Sequence, residues 1–110
     1  MDDRRKFERL NLPTTSKAFV TDANGKRLGN LSVLGRGGFQ IDVRDNSAFP
    51  NGSTHEVVIV DESEEIRREV TGLVRMSLPG AVGFEFKDLN PDAAVEVGVI
   101  IGNYYSAANG

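Results

Sequence analysis

From residue 14 to residue 86, short runs of alternating apolar and polar residues are separated by turn-forming clusters. Residues 17–21 read as a first strand, and Asp22-Ala23-Asn24-Gly25 as the turn that follows it. An Asn-Gly pair reaches positive φ at little cost, which favours a tight hairpin. Residues 27–33 are then the returning strand. Phe39, Ile41 and Val43 alternate onto one face of a third strand. Residues 44–53, with Pro50 and Asn51-Gly52, form a loop. Val57, Val58, Ile59 and Val60 run consecutively in a strand over 56–60, so both of its faces are expected to be covered. The acidic turn 61–65 leads into a long strand over 66–76, with Ile66, Val70, Val74 and Met76 on one side. Leu78-Pro79-Gly80 turns the chain back, and Val82, Phe84 and Phe86 face inward on the strand after it. About six short strands joined by tight turns predict a mainly β fold, a small antiparallel six-stranded barrel. Closing the sheet removes edges that would otherwise invite aggregation.

The two ends differ from this pattern. Asn90-Pro91-Asp92 reads as a helix start, with Asn90 as the cap and Pro91 in the first helical position. Ala93, Val97, Ile100, Ile101 and Tyr104 would then form an apolar stripe on a C-terminal helix over about 91–104. Val95, Val97, Val99 and Ile101 also alternate as a strand would, and Gly98 weakens a helix. The start signal and the length of the segment favour the helix, with residues 103–110 frayed. Residues 1–12 are charged, lack periodicity and precede Pro13, so they are expected to be a flexible N-terminal arginine arm. Residues 13–110 form the barrel domain with its helix.

Composition narrows the function. A chain of 110 residues with 39% hydrophobic and 26% charged residues suits one globular domain. The absence of cysteine excludes disulfides, thiolate metal sites and a cysteine nucleophile, and it fits a cytoplasmic protein. No apolar run approaches the roughly 18–20 residues of a membrane span, and no apolar stretch follows Asp2-Asp3-Arg4-Arg5, so neither membrane insertion nor a signal peptide is expected. A net charge of −3 argues against binding to long nucleic acids. The low aromatic content, 7%, argues against a single-strand-binding barrel. Arg4, Arg5, Lys6 and Arg9 nevertheless concentrate positive charge in one segment, which suits a small polyanion.

Arg5 and Arg9 lie four residues apart, a spacing that puts both side chains on one side of the arm. The planar guanidinium bonds phosphate oxygens as a fork, bonds guanine O6 and N7 in the same way, and stacks on purines. In Asn30-Leu31-Ser32-Val33-Leu34-Gly35, the amide carries both donor and acceptor, the hydroxyl is small, and the glycine admits positive φ and close approach of a ligand. Taken separately, the arginines read more simply as a solvated terminal charge cluster, and the second segment as a strand end and turn. Together, R-x-x-x-R followed by N-x-S-x-x-G ahead of a compact β domain resembles the PilZ family. Val82-Gly83-Phe84-Glu85-Phe86 and Gly72-Leu73-Val74-Arg75 fit the same pattern, so the resemblance covers about residues 5–88.

That resemblance implies a non-enzymatic bacterial second-messenger receptor for cyclic di-GMP, in which Arg5, Arg9, Asn30, Ser32 and Gly35 form the site and the arm closes to signal to a protein partner. Arg4 is implied as a further contact, and Arg36 is an extra cation beside the site. The alternative is a ligand-free adaptor on the same fold. Residues 35–38 read as irregular throughout, and the departure from the pattern is Arg36-Gly37-Gly38, which stands between the motif and Phe39 and lengthens the loop. Either Gly35 or Gly38 then fills the role of the motif glycine.

Other chemistry is weaker. His55 is the single histidine and lacks companions for a metal site. No nucleophile elbow is present, so no catalytic residue and no cofactor are expected. Residues 61–65 lack calcium-loop spacing. The glycine-rich segment 35–38 leads into a strand rather than a helix, against a phosphate-binding loop. Tyr104-Tyr105 and the apolar tail are expected to cover one end of the barrel.

Overall fold

A computed structural model describes the chain over residues 9–109, with side-chain environments from Leu10 to Tyr104. It contains β1 (Arg9–Asn11), β2 (Ala18–Asp22), β3 (Arg27–Gly35), β4 (Gly38–Asp42), β5 (Thr54–Asp61), β6 (Ile66–Leu78), β7 (Ala81–Lys87) and α1 (Pro91–Asn109). All neighbouring strands are antiparallel. The chain of pairings runs β3-β2-β5-β6-β7-β4 and returns from β4 to β3, which closes a six-stranded barrel. The expected fold class is therefore present, and β1 is added outside the barrel ring.

β3 takes three partners. β2 pairs along its first half, with Phe19 opposite Asn30. β1 and β4 both pair with Val33 and Leu34, and so lie on opposite edges of its second half. The expected arm was drawn to residue 12, but its last residues belong to the folded domain. Leu10 and Leu12 are buried in the core, and the Leu12 amide donates to the Ser32 carbonyl at 2.9 Å. Two leucines two residues apart give a short strand an apolar face, which local charge density obscured.

Alternation places Val20, Leu31, Leu34, Ile41, Val57, Ile59, Val74 and Val82 inside the barrel. Phe39 stacks on Phe84 with centroids 4.8 Å apart, and Phe49 meets Phe84 edge-on at 5.8 Å. The consecutive valines of β5 behave as their pattern implied. Val57 and Ile59 join the core, while Val58 and Val60 are buried on the opposite face. α1 contributes Ala93, Val97, Ile100 and Ile101 to the same core and packs against β6, β3 and β1. An ion pair from Arg68 of β6 to Glu96 ties its outer side down. The helix runs to Asn109, further than expected, since Ala107 and Ala108 favour helix strongly.

Asn90 caps α1 as its sequence signal required. Its Oδ1 accepts from the Asp92 amide at 2.7 Å and the Ala93 amide at 3.4 Å, and Pro91 occupies the first helical position. Replacing Asn90 with alanine is expected to lower stability by about 1 kcal/mol, read as a reduced midpoint in thermal or urea unfolding.

Glycines matter where β4 closes the barrel. A Cβ on Gly29 would lie 1.9 Å from the Asp42 carbonyl oxygen, and one on Gly38 would lie 2.0 Å from that of Phe84. The two ends of β4 thus press against neighbouring backbone too closely for any side chain. This corrects the reading of residues 35–38 as wholly irregular. Gly35 ends β3, Gly38 begins β4, and Arg36-Gly37 alone makes the bend. Gly38 pairs with Glu85, and the Phe86 amide donates to the Gly37 carbonyl.

Candidate ligand-binding site

The motif residues lie along the outer side of β3. Asn30 is exposed and opposite Phe19 in the neighbouring strand. Its Oδ1 accepts a 2.6 Å hydrogen bond from Arg27, whose guanidinium carbon sits 4.0 Å from the centre of the Phe19 ring. Two positions on, a register shift between Leu31 and Val33 interrupts the pairing with β4. Such a bulge re-aims the residue it contains. Ser32 is the residue concerned, and its Oγ donates to the Gln40 carbonyl at 3.1 Å.

Gly35 lies opposite Arg9 in the β1–β3 register. It has strand backbone, and among the described residues positive φ occurs at other glycines, Gly25, Gly52 and Gly80. The positive φ that a glycine admits is therefore not used at Gly35. Beyond Gly35 the surface opens into a groove of about 410 Å³ across β3, β4, β7 and β6. Gly35, Gly37, Gly38 and Gly83 line it, so much of its wall is bare backbone. Gln40 and Met76 also reach it, and Arg75 and Glu85, paired at 3.3 Å, stand at its border. That volume lies within the range of small-ligand sites.

The structure therefore brings Asn30, Ser32 and Gly35 onto one strand, and brings the backbone of Arg9 beside Gly35. Arg36 is exposed in the bend immediately after. Arg4 and Arg5 lie outside the described residues, and so does the side chain of Arg9. Sequence reasoning missed Arg27, Phe19 and the glycine-lined groove. A signal for the first two existed. A hairpin turning on Asn24-Gly25 puts residue 19 opposite residue 30 by simple counting. Nothing in the spacing announced the groove, which depends on β4 lying between β3 and β7. His55 bonds Ser53 Oγ at 2.9 Å and packs against Phe49 and Phe84, a structural setting. Among the described residues no group of acidic and histidine side chains could hold a metal ion, and no helix is long and apolar enough to cross a membrane.

A closed six-stranded barrel, an N-terminal strand laid along β3 and a C-terminal helix define a small antiparallel β-barrel domain. The PilZ domain profile matches residues 3–101, and the chain belongs to the PilZ domain family. No curated protein sequence matches the chain. Among solved structures, it resembles the PilZ domain of YcgR from Escherichia coli, solved with c-di-GMP, at 13% identity and a TM-score of 0.72, covering 91% of this chain and 90% of that one. The MrkH–c-di-GMP complex of Klebsiella pneumoniae is similar at 14% identity and a TM-score of 0.72, over 92% of this chain and 52% of MrkH, so the chain spans about half of MrkH. An uncharacterised Legionella protein matches at 9% identity and a TM-score of 0.64, covering 93% of this chain and 98% of that one. At these identities the likeness is one of fold.

Proposed function

We propose that this chain is a cytoplasmic, non-enzymatic receptor for cyclic di-GMP that signals to a protein partner. The observation that carries the reading is the β1–β3 register. Arg9 faces Gly35 across the ladder, and the Leu12 amide holds the Ser32 carbonyl, so the end of the arginine arm is anchored on the N-x-S-x-x-G strand itself. The backbone of Arg9 thereby lies beside the strand that carries Ser32 and borders a glycine-lined groove.

In this reading Arg5 and Arg9, with Arg4 in a supporting role, grip phosphate and guanine through their forked donors. Asn30, Ser32 and Gly35 form the barrel side of the site. Gly35, rather than Gly38, serves as the motif glycine, because Gly35 meets the arm whereas Gly38 is fixed by its contact with β7. Arg36 adds positive potential at the mouth of the groove. Closure of the arm orders it at an entropic cost, so the ligand-bound surface differs from the free one, and that difference is what a partner reads. Calorimetric titration of the intact chain with cyclic di-GMP tests the proposal. Saturable binding supports it, and no binding at tens of micromolar ligand refutes it.

A further inference from the structure

Arg27 lies outside both motifs, yet its guanidinium is the charged group fixed directly on the motif strand. It stands 4.0 Å from the centre of the Phe19 ring and donates to Asn30 Oδ1 at 2.6 Å. The sheet register explains why these three residues meet. Thr21 pairs with Arg27, and Phe19 pairs with Asn30, so a side chain leaving β3 at Arg27 can lie back over the neighbouring strand. An exposed arginine ordinarily samples many rotamers, and two contacts of different kinds remove much of that freedom. Among the described residues Arg27 has no carboxylate partner. Asn30 takes one of its five N–H donors. A positioned cation with free donors and no counter-charge, beside a candidate anion site, is preorganised for a ligand.

We infer that Arg27 is a further ligand-contacting residue that bonds a phosphate oxygen of the cyclic dinucleotide, with Asn30 and Phe19 acting as positioning residues for it. The inference rests on the receptor reading above and deepens it. It reassigns Asn30, because an oxygen committed to Arg27 acts on the ligand through that guanidinium. It also means that the barrel holds a phosphate-binding group of its own, independent of the arm.

The test is calorimetric titration of cyclic di-GMP into the intact chain and into Arg27→Ala, Arg27→Lys, Asn30→Ala and the Arg27→Ala/Asn30→Ala double variant. Thermal unfolding of each variant shows whether the fold is kept. Arg27→Ala is expected to raise Kd by about tenfold or more with an unchanged unfolding midpoint, since a charge-assisted hydrogen bond is lost. Arg27→Lys should recover only part of the affinity, because lysine keeps the charge but loses the planar fork. Asn30→Ala should weaken binding in the wild-type background and change little once Arg27 is gone. An Arg27→Ala Kd within twofold of wild type, beside a wild type that binds, overturns this inference alone. An Asn30→Ala effect of equal size in both backgrounds overturns the positioning role. A wild-type chain that does not bind overturns both this inference and the receptor reading.

Discussion

Replacing Arg5 or Arg9 with alanine is expected to weaken cyclic di-GMP binding by about 1.5–3 kcal/mol for each residue, roughly a 10- to 150-fold rise in Kd. Each substitution removes a forked cation proposed to exchange water for phosphate or guanine, and such charge-assisted bonds exceed neutral ones. Alanine at position 9 keeps the backbone N–H and C=O available for the β1–β3 ladder, in which Arg9 pairs with Gly35. The unfolding midpoint should therefore stay near that of wild type while affinity falls. Titration calorimetry and thermal unfolding on the same samples separate these effects. A fall in both would mean that β1 had detached and that the arginine side chain itself had not been tested. Lysine at either position should restore charge without the fork, and so recover only part of the affinity. Since both arginines are proposed to contact one ligand, the double variant need not show the sum of the two losses.

The second large effect concerns folding. Gly38→Ala is expected to destabilise the chain by about 3 kcal/mol, the upper end of the overpacking range, because the new methyl would lie 2.0 Å from the Phe84 carbonyl oxygen. The opposing atom belongs to backbone in a paired strand and has no rotamer through which to yield. For a domain of this size that loss lowers the thermal midpoint by roughly 10–20 °C. Gly37→Ala is the natural comparison. A Cβ at Gly37 meets nothing within 4 Å, so its cost should be small, although both glycines line the same groove. Equal midpoints for the two variants would contradict the close approach of β4 to β7. A stable Gly37→Ala chain also probes the groove, since its added methyl narrows that space without disturbing the barrel.

Much of the fold was legible because strand alternation and turn chemistry are local. The Asn24-Gly25 turn, the inward positions of β4 and β7 and the Asn90 cap each follow from residues within a few positions of one another. The partners of β4 do not. β4 joins β3 through a short bend, but its closure onto β7 depends on residues 39–47 positions apart in sequence. Gly38 therefore read as part of a loop, although it is a strand residue with no space for a side chain. β1 was hidden for a related reason. Its strand status comes from pairing with Val33, Leu34 and Gly35, and its own neighbours are dominated by charge.

The site divides in the same way. Asn30, Ser32 and Gly35 could be singled out because their order and spacing after Arg5 and Arg9 resemble the PilZ pattern. The engagement of Asn30 by Arg27 and of Ser32 by the Gln40 carbonyl depends on cross-strand geometry. So does the pairing of Arg9 with Gly35, which brings the end of the R-x-x-x-R segment beside the N-x-S-x-x-G strand, the joined surface proposed for the ligand.

The most direct test of that joined surface is calorimetric titration of the intact chain with cyclic di-GMP, run beside its mixed-purine analogue and beside the Arg5→Ala/Arg9→Ala variant. The account predicts saturable binding of cyclic di-GMP by the wild-type chain with a Kd of about 10 micromolar or below, and near-complete loss in the variant at an unchanged unfolding midpoint. Absence of binding to the folded wild-type chain, or equal binding by the variant, would contradict it.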